Sequence, residues 1–260
     1  MMIWHHVEKG QGRPLVLLHG IGMSSDAWAA VFDRLAVQRR VIAFDIPGFG
    51  RTPGLPEHIE PNAEAMVASL AESLRKMGIE GPVDIVGNSL GGRIALEAAA
   101  HGLARSIVGI SPAGLWRNKA PFHLEHLFGA MRKAYSLMPE LADRVLQSGV
   151  GRSLLMGGAV SLQAWKMPAP DAQRSARLFA QSHQFEPVFE AFRPPFHDAE
   201  KIIVPCTIAF GDLDFVFPLG TRDKSRAPRH THWVRLPGCG HVPMWDNPDL
   251  VAHVILNGTR

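Results

Sequence analysis

Two rhythms alternate along the chain. Short unbroken apolar runs rich in Val, Ile and Leu are separated by longer stretches in which apolar positions recur every three or four residues. Residues 15–18, 41–44, 83–86, 106–110, 206–210 and 232–236 read as strands. Residues 26–37, 61–77, 90–100 and 248–256 read as helices, the first capped by Ser25 or Asp26 and the second stopped by Gly78. Buried strands joined through helices build a mostly parallel, doubly wound sheet with helices on both faces, and right-handed crossovers fix its winding. Residues 3–7 are expected to add an antiparallel edge through the turn Gly10-Gln11-Gly12.

The rhythm breaks between Leu115 and Phe196. That segment has no convincing strand, and Pro121, Pro139, Pro168, Pro170, Pro187, Pro194 and Pro195 divide it into short helical patterns. A structureless loop of that length does not fit a compact domain. Residues 115–196 therefore read as a helical insert over a core made of residues 1–114 and 197–260.

Composition narrows the field. With 260 residues, 46% hydrophobic and 20% charged, the chain can bury a large core and is not of disordered type. The formal charge of +3 comes from scattered basic residues with no aromatic-interleaved stripe, so nucleic acid is not expected as a partner. No apolar run approaches the roughly 18 residues of a membrane span, and residues 1–6 do not resemble a signal peptide, so neither membrane insertion nor export is expected. Cys206 should open a strand and Cys239 should lie past the far end of the next one. Two free thiols and a reducing, cytoplasmic setting follow. No His-Glu-x-x-His or similar ligand spacing occurs, so neither metal nor organic cofactor is expected. The oligomeric state is not legible.

Four motifs carry chemistry. Gly87-Asn88-Ser89-Leu90-Gly91-Gly92 follows a strand and opens a helix, the setting of a nucleophile elbow. Such a turn is so tight that side chains at 87 and 91 would clash, and it lifts the Ser89 hydroxyl to the positive end of the helix. His19-Gly20-Ile21-Gly22 follows the first long strand. An acyl-transfer enzyme needs two preorganised N–H donors for its oxyanion, and the amides of Leu90 and Ile21 are the natural pair, with His19 bracing the loop. Gly211-Asp212-Leu213-Asp214 and Gly238-Cys239-Gly240-His241 leave adjacent strand ends on the same sheet edge as Ser89. A serine hydroxyl is a weak nucleophile that needs a base near neutral pKa, and that base needs a carboxylate to fix its tautomer. His241 is the candidate base. Asp214 is preferred over Asp212 as the acid because it reaches across the turn toward the next loop, which leaves Asp212 to brace that turn.

On these motifs and their order the chain resembles the α/β-hydrolase superfamily over nearly all its length except the insert, and the loop Asp45 to Gly50 is similar to the one that follows the next core strand there. The resemblance implies Ser89, Asp214 and His241 as a triad, Ile21 and Leu90 as oxyanion donors, and a cap or lid role for the insert. A serine at the elbow disfavours epoxide hydrolase and haloalkane dehalogenase activities, which use aspartate. The expected activity is hydrolysis of a carboxylic ester with an apolar acyl or aryl group, through an acyl-enzyme. Carbon–carbon hydrolysis of a vinylogous diketone acid is the alternative, for which Arg93 and Arg117 are candidate carboxylate partners. A non-catalytic ligand-binding role is a third. Between insert and strand ends, Trp28, Leu115, Trp116, Phe122, Phe128, Met131, Trp165 and Val242 are candidates to line the pocket.

Overall fold

The apolar runs become strands. The computed structural model describes residues 3–157 and 160–260. It contains β1 (His6–Lys9), β2 (Pro14–Leu18), β3 (Arg40–Phe44), β4 (Val83–Asn88), β5 (Ala104–Ile110), β6 (Cys206–Gly211) and β7 (His232–Leu236). Among the described residues they form one sheet in the order β1-β3-β2-β4-β5-β6-β7. All neighbours are parallel except β1 and β3. The antiparallel edge is present, but it begins at His6 and lies against β3 rather than β2, its neighbour in sequence. β2 has no free side, since β3 and β4 flank it. Trp4, expected within the edge strand, is drawn instead onto the helix Ala63–Lys76: its backbone N–H donates to Ser73 and its indole N–H to Ser69.

Helices α1 (Ala29–Ala36), α2 (Ala63–Lys76) and α3 (Leu90–Ala100) connect the first strands. The helix starts differ slightly from expectation. Ser24, not Ser25 or Asp26, caps a short 3-10 turn ahead of α1, and Asn62 caps α2 by accepting from the amide of Ala65. Between β5 and β6 come α4 (Phe122–Leu137), α5 (Pro139–Leu146), α6 (Gly149–Met156), α7 (Ala169–Gln181) and α8 (Phe185–Ala191), and α9 (Pro248–Gly258) follows β7. Gly158 and Ala159, inside the predicted insert, lie outside the described residues. Strand alternation sorts the core. Val16, Leu18, Ile42 and Phe44 pack on the face of α2 and α3, while Leu15, Leu17, Val41 and Ala43 pack on the face of α1 and α9. The inserted helices have a small cluster of their own around Leu146, Met156, Ala164, Met167 and Ala172.

The roots of the insert are knotted together. The amide of Phe196 donates to Gly114 O at 2.9 Å, and Ala120 N donates to Arg193 O at 2.9 Å. Arg93 on α3 pairs with Glu97 at 2.7 Å and spends its remaining N–H groups on the carbonyls of Pro194 and Pro195. Both cysteines are buried and free. Among the described residues, no helix is long and apolar enough to cross a membrane.

Candidate active site

The sharpest backbone feature lies at the β4–α3 junction. Ser89 has φ 53° and ψ −113°, one of two positive-φ non-glycine residues among those described. Such strain persists only where the surroundings hold it, and it concentrates at functional sites. A Cβ on Gly87 would lie 2.0 Å from Gly91 O, and one on Gly91 would lie 2.2 Å from Leu18 O. Only glycine lets the turn close this tightly, as its sequence predicted. Ser89 is consequently held at the mouth of α3, where the helix dipole favours negative charge.

The candidate acid and base follow β6 and β7. His241 Nδ1 lies 3.1 Å from both carboxylate oxygens of Asp214, and both residues are buried. Asp214 Oδ1 also accepts the amides of Val216 at 3.0 Å and Phe217 at 2.9 Å. Burial alone would raise this carboxyl. The charge and hydrogen bond of His241, with the Phe217 amide, outweigh it and hold the acid below its usual range. The Phe217 ring stands edge-on to the imidazole with centroids 4.8 Å apart. Asp212, the rival acid, points elsewhere. It accepts the amide of Gly238 at 2.8 Å and pairs with Arg235 at 2.9 Å, which braces the turn.

Ser89 and His241 line one cavity of about 360 Å³. No hydrogen bond joins the two side chains, and such bonds tighten as substrate binds. The loop after β2 passes close by: a Cβ on Gly20 would sit 3.4 Å from Ser89 Cβ. Ile21 lines the cavity, and the amides of Ile21 and Leu90 meet no acceptor among the described residues. His19 braces this loop from beneath. Its Nε2 accepts the amide of Ile46 at 2.9 Å, so the proton sits on Nδ1 and is donated to Gly20 O at 2.7 Å. Burial pushes this imidazole below its ordinary pKa.

The cavity wall differs from the sequence expectation. Val242, Phe128 and Met131 line it, whereas Trp28, Trp116 and Trp165 do not. Trp28 is fully buried under β2 and β3, Trp116 is turned away by an indole hydrogen bond to Arg193 O, and Trp165 is 48% exposed on the outer side. Leu115 is buried in the core and Phe122 lies on the surface. The positions are filled instead by Met23, Tyr135, Leu146, Met156, Phe179 and Trp245, among others. No Lys or Arg is among the described residues of the wall. Its carboxylates, Asp26 and Asp171, are both paired with Arg174 at 2.6 Å. Arg117 is exposed beside Asp223.

Two residues that the sequence did not single out fix the loop of His241. Asn88 Nδ2 donates to His241 O at 3.0 Å and to Ile110 O at 3.1 Å. Asp246 accepts Gly240 N at 2.7 Å with one oxygen, and the Ser161 hydroxyl and Gln163 N with the other. The amide of Val242 donates to Val160 O at 2.8 Å. Histidine loop and insert thus share one buried carboxylate. Its only sequence signal is an aspartate a few residues past a candidate base, which is not distinctive.

A mostly parallel sheet, a strained serine between strand and helix, and an acid–histidine pair at the neighbouring strand ends define the α/β-hydrolase class of enzyme. A sequence profile of the alpha/beta hydrolase family matches residues 15–254, and the chain belongs to that family. A 2-hydroxy-6-oxo-6-(2'-aminophenyl)hexa-2,4-dienoic acid hydrolase of Metapseudomonas resinovorans is 28% identical over 258 residues, covering 97% of this chain and 86% of that protein. Two solved structures share the fold. An esterase from Thermogutta terrifontis superposes with TM-score 0.72 at 19% identity, over 97% of this chain and 91% of its own. A meta-cleavage product hydrolase from Pseudomonas fluorescens IP01 superposes with TM-score 0.71 at 20% identity, over 97% and 92%.

Proposed function

We propose that this hydrolase cleaves carboxylic esters with an apolar acyl group, through an acyl-enzyme on Ser89. His241 takes the hydroxyl proton as the oxygen of Ser89 attacks the carbonyl carbon. Asp214 steadies the imidazolium, and the amides of Ile21 and Leu90 receive the oxyanion. As the tetrahedral intermediate collapses, the C–O bond to the alcohol breaks and His241 returns the proton to the leaving oxygen. Water, deprotonated by His241, then attacks the acyl-enzyme. Carboxylic acid leaves and the Ser89 hydroxyl is restored.

The observation that carries this reading is the cavity wall: apolar, reaching from Ser89 into the insert, and without a cationic side chain among its described residues. A dienoate substrate brings a carboxylate that such a wall does not neutralise, since burying an unpaired charge is costly. Arg93, one of the two candidates, is engaged by Glu97 and the carbonyls of the insert root. The second reading, carbon–carbon hydrolysis of a vinylogous diketone acid, is favoured by the activity of the M. resinovorans relative, a dienoic acid hydrolase. The test is side-by-side turnover of p-nitrophenyl esters of graded chain length and of a dienol diketone acid. Ester kcat/KM should be the larger. A dienoate preference of about 100-fold, near 2.7 kcal/mol in transition-state binding, would replace the first reading by the second.

A further inference from the structure

The inserted helices carry more exposed apolar surface than a solvent-facing segment needs. Leu137, Met138, Leu141, Val150, Leu154 and Leu155 are between 46% and 77% exposed. Three of them, Met138, Leu141 and Leu155, also line the cavity that holds Ser89. Cavity and outer face are therefore one continuous apolar surface. α5 packs on α6, and α6 packs on the turn that carries the half-exposed Trp165.

The insert as a whole is net positive. Residues 115–196 hold ten Lys and Arg against six Asp and Glu, a net +4, while the whole chain is only +3. Elsewhere in the insert most cations are matched: Arg132 with Glu186, Arg174 with Asp26 and Asp171, Arg177 with Asp143, and Arg193 with Glu125 and Glu190. Beside the apolar residues they are not. Lys133 sits one helical turn before Leu137, Arg144 three residues after Leu141, and Lys166 next to Trp165. All three are exposed and form no ion pair among the described residues. Of the nearby acids, Asp143, next to Arg144, is taken by Arg177 and the Tyr135 hydroxyl, and the exposed Glu140 forms no ion pair among the described residues. Unpaired cations around an apolar patch, with an indole at its margin, match a surface of anionic headgroups over hydrocarbon.

We propose that this face docks on an anionic phospholipid surface, so that an acyl chain passes from lipid to Ser89 without crossing water. The proposal rests on the ester reading of the site and supplies its substrate class, a lipid-borne acyl ester. The test is sedimentation with phosphatidylcholine vesicles, with and without phosphatidylglycerol, using the full chain. Wild type should partition onto the anionic vesicles, and less so as salt rises. Lys133→Glu and Arg144→Glu should each weaken that partition about fivefold or more. Leu154→Glu should weaken binding to both kinds of vesicle. None of these residues lines the cavity, so turnover of dissolved p-nitrophenyl butyrate should be unchanged in all three variants. If wild type stays in the supernatant with both vesicles while hydrolysing the dissolved ester, docking is refuted and the ester reading stands. If the protein is a dimer that Leu154→Glu splits, and vesicles do not bind, a second copy covers the face and the proposal falls. Vesicle binding without turnover of any ester would support docking and remove the ester reading.

Discussion

Replacing Asp214 by Asn offers a test in which the structure dictates the outcome. Oδ1 receives two backbone amides, from Val216 and Phe217. An asparagine must keep its carbonyl oxygen there, because turning it round would set an NH₂ against two N–H groups. Its Nδ2 then occupies the place of Oδ2 and donates to His241 Nδ1. That traps the tautomer with its proton on Nε2, the nitrogen that must take the proton from Ser89. The shape of the site hardly changes, yet the base is lost, at a cost on the order of 10⁴ in kcat, or about 5.5 kcal/mol. Asp212→Asn retains an acceptor for the Gly238 amide and gives up only an exposed ion pair with Arg235, so activity should fall less than about threefold. Initial rates on p-nitrophenyl butyrate, with circular dichroism to confirm folding, decide it. If Asp214→Asn keeps more than a tenth of wild-type kcat, or if Asp212→Asn is the more damaging, the tautomer argument is wrong.

Three further outcomes are expected. Ser89→Ala should lose about 10⁴-fold or more in kcat and all labelling by a fluorophosphonate probe, and mass spectrometry of the labelled wild type should place the adduct on Ser89. Phe179→Ala, at the cavity wall, should shift the preferred ester chain length, whereas Trp165→Ala, on the outer surface, should leave the ranking unchanged; the reverse pattern in a chain-length series would displace the cavity assignment. The fold favours neutral His19, so below its ordinary pKa of about 6.5 the unfolded chain gains a proton that the native state resists. Stability should then fall as pH drops below about 6.5, by at most about 1.4 kcal/mol per pH unit from this residue, and thermal melts of His19→Asn should lose that slope.

Legibility followed the range of the forces involved. Strands and elbow helix could be read because burial and backbone geometry act locally: a run such as Leu15-Val16-Leu17-Leu18 has few other uses, and the glycines at 87 and 91 record steric contacts within one turn. The Asp214–His241 pair was legible because parallel strands deliver their following loops to one edge. The register of the edge strand was not, since β1 pairs with β3 only because β2 has no open side. Nor was the cavity wall. Trp28, Trp116 and Trp165 are large and apolar, but which way a helix or turn faces is fixed by packing among the inserted helices and by single hydrogen bonds such as that from Trp116 to Arg193 O. The parts played by Asp246 and Asn88 were not legible because their partners are distant along the chain.

The buried carboxylate of Asp246 makes the insert less of a detachable module than its composition suggests. An exchange of residues 115–196 for the insert of another hydrolase would remove the Ser161 hydroxyl and Gln163 amide, leaving a desolvated anion with one of its three donors, the Gly240 amide beside His241. A graft designed to change only substrate choice would thereby loosen His241 and slow turnover for every substrate. Chimeras that keep the stretch around Ser161 to Gln163 with the core, and exchange only the helices before and after it, should separate selectivity from rate.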